Sequence, residues 1–208
     1  GQHKLPARHL VAALQRAGWR AQLVDLDEGI ATIVALAHRL SPRLILSSIL
    51  FADRVNEHLA LLTALRSAVP PAHLTIAGAL TTFVSADLLT ACPALDSVLC
   101  GEADATIVEL ARHIDNPTRW QAIPGIAYRS PTYRRNPLPP LASNLDALPF
   151  PIHNDLATFR GYGFATVEAS RGCYHTCAFC LPSACYHAQG IAYRQRSVSN
   201  IGDEIELL

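Results

Sequence analysis

The sequence predicts an α/β fold organised as a parallel, doubly wound sheet. Residues 5–122 alternate between segments of helical period and short strand-like segments, the signature of βαβ connections. The strand-like segment "RLILSSIL" is a near-continuous apolar run, as expected of a strand covered on both faces, and "AHLTIAG" is a further strand-like segment. A second strand–loop–helix pattern opens at residue 164.

Taken in order, "PARHLVAALQRAG" places Leu10, Leu14 and Ala17 on one helical face, with Gly18 as the stop. "RAQLVDL" is expected to be a short apolar strand. "EGIATIVALAHRL" sets Ile30, Ile33, Val34, Ala37 and Leu40 at helical spacing, and "RLILSSIL" follows as a strand. "RVNEHLALLTALRSAV" is a helix carrying Val55, His58, Leu59, Leu62 and Arg66, ended by Pro70-Pro71. "AHLTIAG" is a strand ending at Gly78. "VSADLLTAC" is expected to be a short helix, "LDSVLCG" a strand, and "ATIVELARHI" a helix with Ile107, Leu110, Ala111 and Ile114 inward. The first helix begins so near Gly1 that the strand feeding it is expected to lie upstream; the chain lacks an initial Met, and both ends are expected to be cut.

The stretch 124–163 is Pro-rich and bears Arg. Short hairpin strands are expected around Ile126–Tyr128 and Thr132–Arg134, and an extended connector elsewhere. "FATVEAS", residues 164–170, is expected to be a strand and "SVSNIGDEIELL" a helix, with Ser199 or Asn200 as N-cap and Asp203 and Glu204 in its first turn. The domain expectation is therefore 1–122, a connector over 123–163, and a second α/β domain opening at 164–208.

Composition narrows the function classes. The formal net charge is zero and 50% of residues are hydrophobic. Neither nucleic acid nor an acidic membrane surface is an expected partner. Apolar runs are cut by Arg39, Arg66, Pro70 and Pro71 before reaching spanning length. There is no signal-peptide pattern, and a reducing, cytoplasmic location is expected. Lys4 is the one Lys among 17 basic residues, which reads first as coding bias. Cys92 and Cys100 lie in apolar surroundings and are expected to be small buried hydrophobes.

"RGCYHTCAFC" is different. Cys173, Cys177 and Cys180 form C-x3-C-x2-C. Thiolates at such spacing hold soft metal centres. Structural zinc needs four closed ligands, and His175, Cys185 or His187 is available as a fourth. Three thiolates on a 4Fe–4S cube leave one iron without a protein ligand.

That spacing, with Phe179 just before the last Cys and "ASRGC" at the strand end, resembles the cluster loop of the radical-SAM superfamily. The resemblance implies a 4Fe–4S cluster on Cys173, Cys177 and Cys180, with the free iron chelating S-adenosylmethionine. Phe179 is then expected to line the adenine; plain packing is the alternative. Arg194 and Arg196 in "YRQRS" are expected to be a solvated pair.

The front segment resembles the cobalamin-binding domains, flavodoxin-like or Rossmann-like in fold, that precede radical-SAM barrels in many enzymes. "HKLPARHLVAALQRAGW" matches the loop and helix after the first strand. His3, fifteen residues before Gly18, occupies the place of a histidine that ligates cobalt from below. The family's D-x-H-x-x-G is Gly1-Gln2-His3-Lys4-Leu5-Pro6 here, without the Asp or the Gly. Water or an open face is the alternative to His3. Ser48-Ile49-Leu50 matches the S-x-L motif whose Ser48 and Leu50 positions meet the cofactor's nucleotide tail. Ala77-Gly78 stands where the family has Gly-Gly, admitting that tail to the sheet edge. "LDSVLCGEADATIVEL" is similar to a turn common in the fused proteins.

Together these resemblances imply the N-terminal portion of a cobalamin-dependent radical-SAM enzyme: a cobalamin domain followed by the first βα unit of a partial TIM barrel. The implied reaction is methyl transfer from methylcobalamin to a substrate radical made by the 5′-deoxyadenosyl radical. Ring formation or rearrangement is the nearest alternative. From other classes come a non-enzymatic cobalamin sensor, which "HxLPAR…GW" also resembles, and a zinc-stabilised binding module. A small-molecule substrate and an external electron donor of flavodoxin or ferredoxin type are the expected partners. No catalytic side chain is assigned. A barrel needs more βα units than this one, so the chain alone is expected to be inactive.

Overall fold

The computed structural model describes residues 4–50, 52–153, 165–190 and 193–208. Its helices are α1 (Leu5–Arg16), α2 (Ile30–Leu40), α3 (Val55–Ala68), α4 (Thr81–Ala91), α5 (Asp104–His113), α6 (Pro117–Trp120), α7 (Leu181–Ala188) and α8 (Val198–Leu207). Its strands are β1 (Leu44–Ser48), β2 (His73–Ala77), β3 (Ser97–Leu99), β4 (Ile126–Arg129), β5 (Tyr133–Arg135), β6 (Ser170–Gly172) and β7 (Tyr193–Gln195). The chain divides into two compact units, Gln22–Pro139 and a second made of Gly1–Ala21 with Pro140–Leu208.

The unit Gln22–Pro139 is an α/β sheet in the order β1-β2-β3-β4-β5. β1, β2 and β3 are parallel, in register from Leu44↔His73 to Ser48↔Ala77 and at Thr75↔Ser97. Every residue of β2 is buried, and its polar side chains at His73 and Thr75 are bonded to Ser97. Leu62 and Leu65 of α3, Leu88 and Leu89 of α4, and Ile33 and Ala37 of α2 pack with Leu74, Ile76 and Val98 into one core. Cys92 and Cys100 sit in that core, as expected.

Two elements of this unit differ from expectation. "RAQLVDL" forms no strand. A strand needs a ladder partner, and none pairs with this segment among the described residues. Val24 and Leu26 pack on the core instead, and the Asp25 carboxylate accepts from the Asp27 N–H at 3.2 Å to start a short 3₁₀ turn. The expected hairpin exists, but it joins the sheet: β4 runs antiparallel to β3 (Val98↔Ala127) and β5 to β4 (Tyr128↔Arg134). Its inner residues Ile126 and Ala127 are fully buried.

Arginine does structural work in this unit. Arg66 donates to the carbonyls of Pro70, Ala72 and Ala94 and pairs with Asp96. Arg129 donates to the carbonyls of Leu89, Pro93 and Leu95, closing the end of α4. The planar guanidinium suits such multiple capping.

In the other unit, β6 and β7 pair antiparallel, with Arg171↔Arg194 and Gly172↔Tyr193. The expected strand 164–170 is replaced by Ser170–Gly172, because the ladder is no longer than its three-residue partner. Phe164 lies outside the described residues. The helix α8 starts earlier than expected. Ser197 is its N-cap, its Oγ accepting from the Asn200 N–H at 3.2 Å. Asp203 and Glu204 therefore fall beyond the first turn.

Two histidines of the Gln22–Pro139 unit are neutral in the fold. His73 donates through Nε2 to Ser97 Oγ at 2.8 Å, whose own proton goes to Thr75 Oγ1 at 2.9 Å. Trp120 packs edge-on against its ring at 4.9 Å. Burial is the main cause lowering the pKa of both His73 and His58, with cations at Arg66 and Arg54 assisting. A lowered folded pKa gives stability that is present above the unfolded value of ~6.5 and is lost as pH falls through the folded value. The urea midpoint should thus drop between about pH 7 and about pH 5, and His73→Gln should flatten that drop. A midpoint that rises on acidification would contradict this assignment.

Candidate functional sites

The first candidate site is the C-terminal edge of the parallel strands, where α/β sheets bind ligands. Ser48 and Leu50 are half-buried there and Ile49 is 1% exposed. The strands are tied together at this edge. Ile49 N–H donates to the Ala77 carbonyl at 2.8 Å. Thr81 Oγ1 donates to the Gly78 carbonyl at 2.8 Å and also reaches the Leu99 carbonyl. Thr82 Oγ1 accepts from the Gly101 N–H at 2.8 Å.

Gly78 has φ +140, and a Cβ built on it would lie 1.7 Å from the Ile49 carbonyl oxygen. The residue at 78 must be glycine so that the ends of β1 and β2 can meet; the room a Cβ would take is filled by backbone. Sequence reading gave Gly78 a ligand-admitting role and missed this close approach. It also missed the residue beside Ser48. Ser47 is buried, and its Oγ lies 2.7 Å from His58 Nδ1 on α3. Strand alternation sends Ser48 to the opposite face of the sheet. His3 lies outside the described residues.

The second candidate site is the thiol loop that leaves β6. Gly172 ends the strand at φ +87. Cys173 and Cys180 are half-buried and Cys177 is exposed. Cys177 and Cys180 are joined by a turn, with the Cys180 N–H donating to the Cys177 carbonyl at 3.1 Å. The His175 N–H donates to Cys173 Sγ at 3.4 Å, and the His175 carbonyl accepts from Ser183 Oγ at 2.6 Å and His187 Nε2 at 3.0 Å. Phe179 is 91% exposed. Cys185 lies on α7, its sulfur 3.6 Å from Gln189 Nε2.

The donor chemistry fits a soft metal centre: three accessible thiols on one short loop. Among the described residues, however, no three His, Cys, Asp or Glu side chains stand as a metal-holding group. The structure therefore places the three sulfurs on one loop without gathering them on one point.

The stem of that loop is held by buried charge, which corrects the expectation for the two arginines. Arg194 and Arg196 are not solvated; each is 7% exposed. Arg196 pairs with Glu204, which is fully buried, and also donates to Asn200 Oδ1 at 2.6 Å and the Glu168 carbonyl at 2.8 Å. Arg194 donates to the Ala142 carbonyl at 2.8 Å and lies over the Tyr186 ring. Arg196 is buried because Glu204, eight residues on, turns inward, and Arg194 is held by the Ala142 carbonyl and the Tyr186 ring.

The close approach at Gly78 sets a clear expectation. Gly78→Ala combines a left-handed φ with a backbone clash and should destabilise the protein by more than ~1 kcal/mol, seen as a lower urea midpoint. An unchanged midpoint would show that β1 and β2 need no such contact.

The family model described as the B12 binding domain matches residues 2–111. An uncharacterized methyltransferase of Pyrococcus horikoshii is 31% identical over 132 residues, covering 61% of this chain and 28% of that protein. The hopanoid C-3 methylase of Methylococcus capsulatus is 29% identical over 203 residues, covering 93% of this chain and 38% of the methylase. This chain thus spans well under half of either relative. Among solved structures, the radical S-adenosylmethionine methyltransferase TsrM of Kitasatospora setae, with cobalamin and a [4Fe-4S] cluster bound, superposes with a TM-score of 0.79 at 19% identity, over 99% of this chain and 43% of TsrM. That likeness concerns the fold. With the family model covering more than half of its length, this chain belongs to the B12-binding domain family.

Proposed function

We propose that this chain is the cobalamin-binding and cluster-binding portion of a cobalamin-dependent radical-SAM methyltransferase. The observation that carries the reading is the C-x3-C-x2-C loop, placed between a strand and a helix in a chain that begins with a B12-binding domain. Two relatives named as a methyltransferase and a methylase support the methyl-transfer reading, while a relative from Synechocystis, 28% identical over 123 residues, is named as a magnesium-protoporphyrin monomethyl ester cyclase and keeps ring formation as the second reading.

In this reading Cys173, Cys177 and Cys180 would hold a 4Fe–4S cluster, which would leave one iron without a protein ligand for S-adenosylmethionine. When bound, the cluster supplies the electron that cleaves S-adenosylmethionine to a hydrogen-abstracting radical, and cobalamin supplies the methyl group. The chain's own contribution is to hold and orient. The tied strand ends around Ser48, Leu50 and Gly78 present the edge that receives the corrinoid's nucleotide tail. His3 would be the residue to supply an imidazole to the cobalt. Phe179, exposed in the loop, is available to stack on adenine. The substrate is a small molecule, and reducing equivalents come from a flavodoxin- or ferredoxin-type donor. Among the described residues no helix is long and apolar enough to cross a membrane.

Anaerobic reconstitution with iron and sulfide tests this reading. About four irons per chain and a broad brown absorbance are expected. Ser at Cys173, Cys177 or Cys180 should lower the iron content several-fold, whereas Cys185→Ser should not. Colourless protein that carries stoichiometric zinc would sink the proposal.

A further inference from the structure

We propose that Ser183 and His187 are positioning residues for the thiol loop: together they fix His175 so that its N–H points at the sulfur of Cys173. The inference rests on the cluster reading above. Ser183 and His187 are four residues apart on α7 and so share one helical face. Both reach the same acceptor, the His175 carbonyl, at 2.6 and 3.0 Å. A carbonyl oxygen has two lone pairs, and here both are used. Because the carbonyl can only accept, His187 carries its proton on Nε2.

Burial separates this clamp from an accidental surface contact. Ser183 is 3% exposed, while Tyr174, in the loop that it ties down, is 70% exposed. A buried hydroxyl with a short bond to backbone holds one rotamer and ties the loop to α7 at His175, leaving the later thiols free to close. On the other side of the same residue, the His175 N–H donates to Cys173 Sγ at 3.4 Å. His175 is thereby pinned through both its N–H and its carbonyl. Cys173 is the thiol that receives a backbone N–H in this way among the described bonds, and it sits one residue beyond the β6 ladder.

An N–H···S bond draws charge from a thiolate ligand and eases reduction of the centre it holds, so hydrogen bonds to sulfur raise the potential of iron–sulfur clusters. The clamp on the carbonyl thus tunes the cluster through a residue that is itself no ligand. Nothing in this role requires Ser183 or His187 to touch the cluster, the cofactor or the substrate.

The test is the midpoint potential of the anaerobically reconstituted chain, followed by its paramagnetic signal during a mediated titration with dithionite. Ser183→Ala should shift the potential to more negative values while iron and sulfide content stay at the wild-type level. Ser183→Thr, which keeps the hydroxyl, should return it towards wild type. His187→Ala, at a half-buried position, should shift it in the same direction, and it decides the matter if Ser183→Ala takes up no cluster. Unchanged potentials and spectra in both Ala variants would overturn the proposal and leave the cluster reading standing. A wild-type chain that takes up no cluster would overturn both.

Discussion

A carboxylate removed entirely from water has to be matched, and the Glu204 carboxylate is such a group. Arg196 pairs with one of its oxygens, and His153 Nε2 lies 3.2 Å from the other. Arg8 can only donate, and its Nη1 lies 3.4 Å from His153 Nδ1, so the imidazole accepts there and presents Nε2–H to Glu204. The Arg196 guanidinium also lies over the Phe150 ring at 5.2 Å. Removing one member of such a pair strands a buried charge at a cost of ~3–5 kcal/mol. The consequence is positional. Arg196 follows β7 directly, and its backbone N–H donates to the Ala169 carbonyl at 2.9 Å, just before β6. The pair therefore holds the short β6–β7 ladder, and that ladder is the stem from which the thiols emerge.

The stem and the loop divide the work. The stem is charge-locked, with Arg194 and Arg196 buried beside its half-buried strand β6. The loop beyond Gly172 is exposed, with Cys177 and Phe179 open to solvent. Thiols that must take up metal need to be accessible, and a rigid base lets an accessible loop close on a ligand without disturbing the fold. The edge of the parallel sheet solves a related problem by other means. There the strand ends are joined through backbone and threonine hydroxyls, and a glycine at 78 allows the Ile49 carbonyl to pass where a side chain would stand.

Much of this was legible in the sequence, for identifiable reasons. The parallel strands β1 and β2 were visible because "LILSS" and "HLTIA" are short, mostly apolar and β-branched segments set between helical ones. The helices α2, α3 and α5 followed from clean helical spacing. The thiol loop was legible because its spacing is a property of the chain alone. What escaped reading depended on partners distant in sequence. "RAQLVDL" has the composition of a strand, but a ladder needs a neighbour. The hairpin 126–135 looked like part of a connector because nothing local says that β3 will accept it. Arg194 and Arg196 looked solvated because their burial depends on Glu204 and on carbonyls at Ala142 and Glu168. Ser183 carried no signal at all; a helix-start serine is ordinary until its hydroxyl is seen on the loop's carbonyl.

The central claim is that one chain carries a corrinoid and a three-thiolate iron–sulfur centre together. Native mass spectrometry of the anaerobically reconstituted chain, supplied with cobalamin, iron and sulfide, measures this directly. The predicted species has the mass of the polypeptide plus one cobalamin and one Fe4S4 unit. A population that holds one or the other but never both, or zinc in place of the cluster, would contradict it.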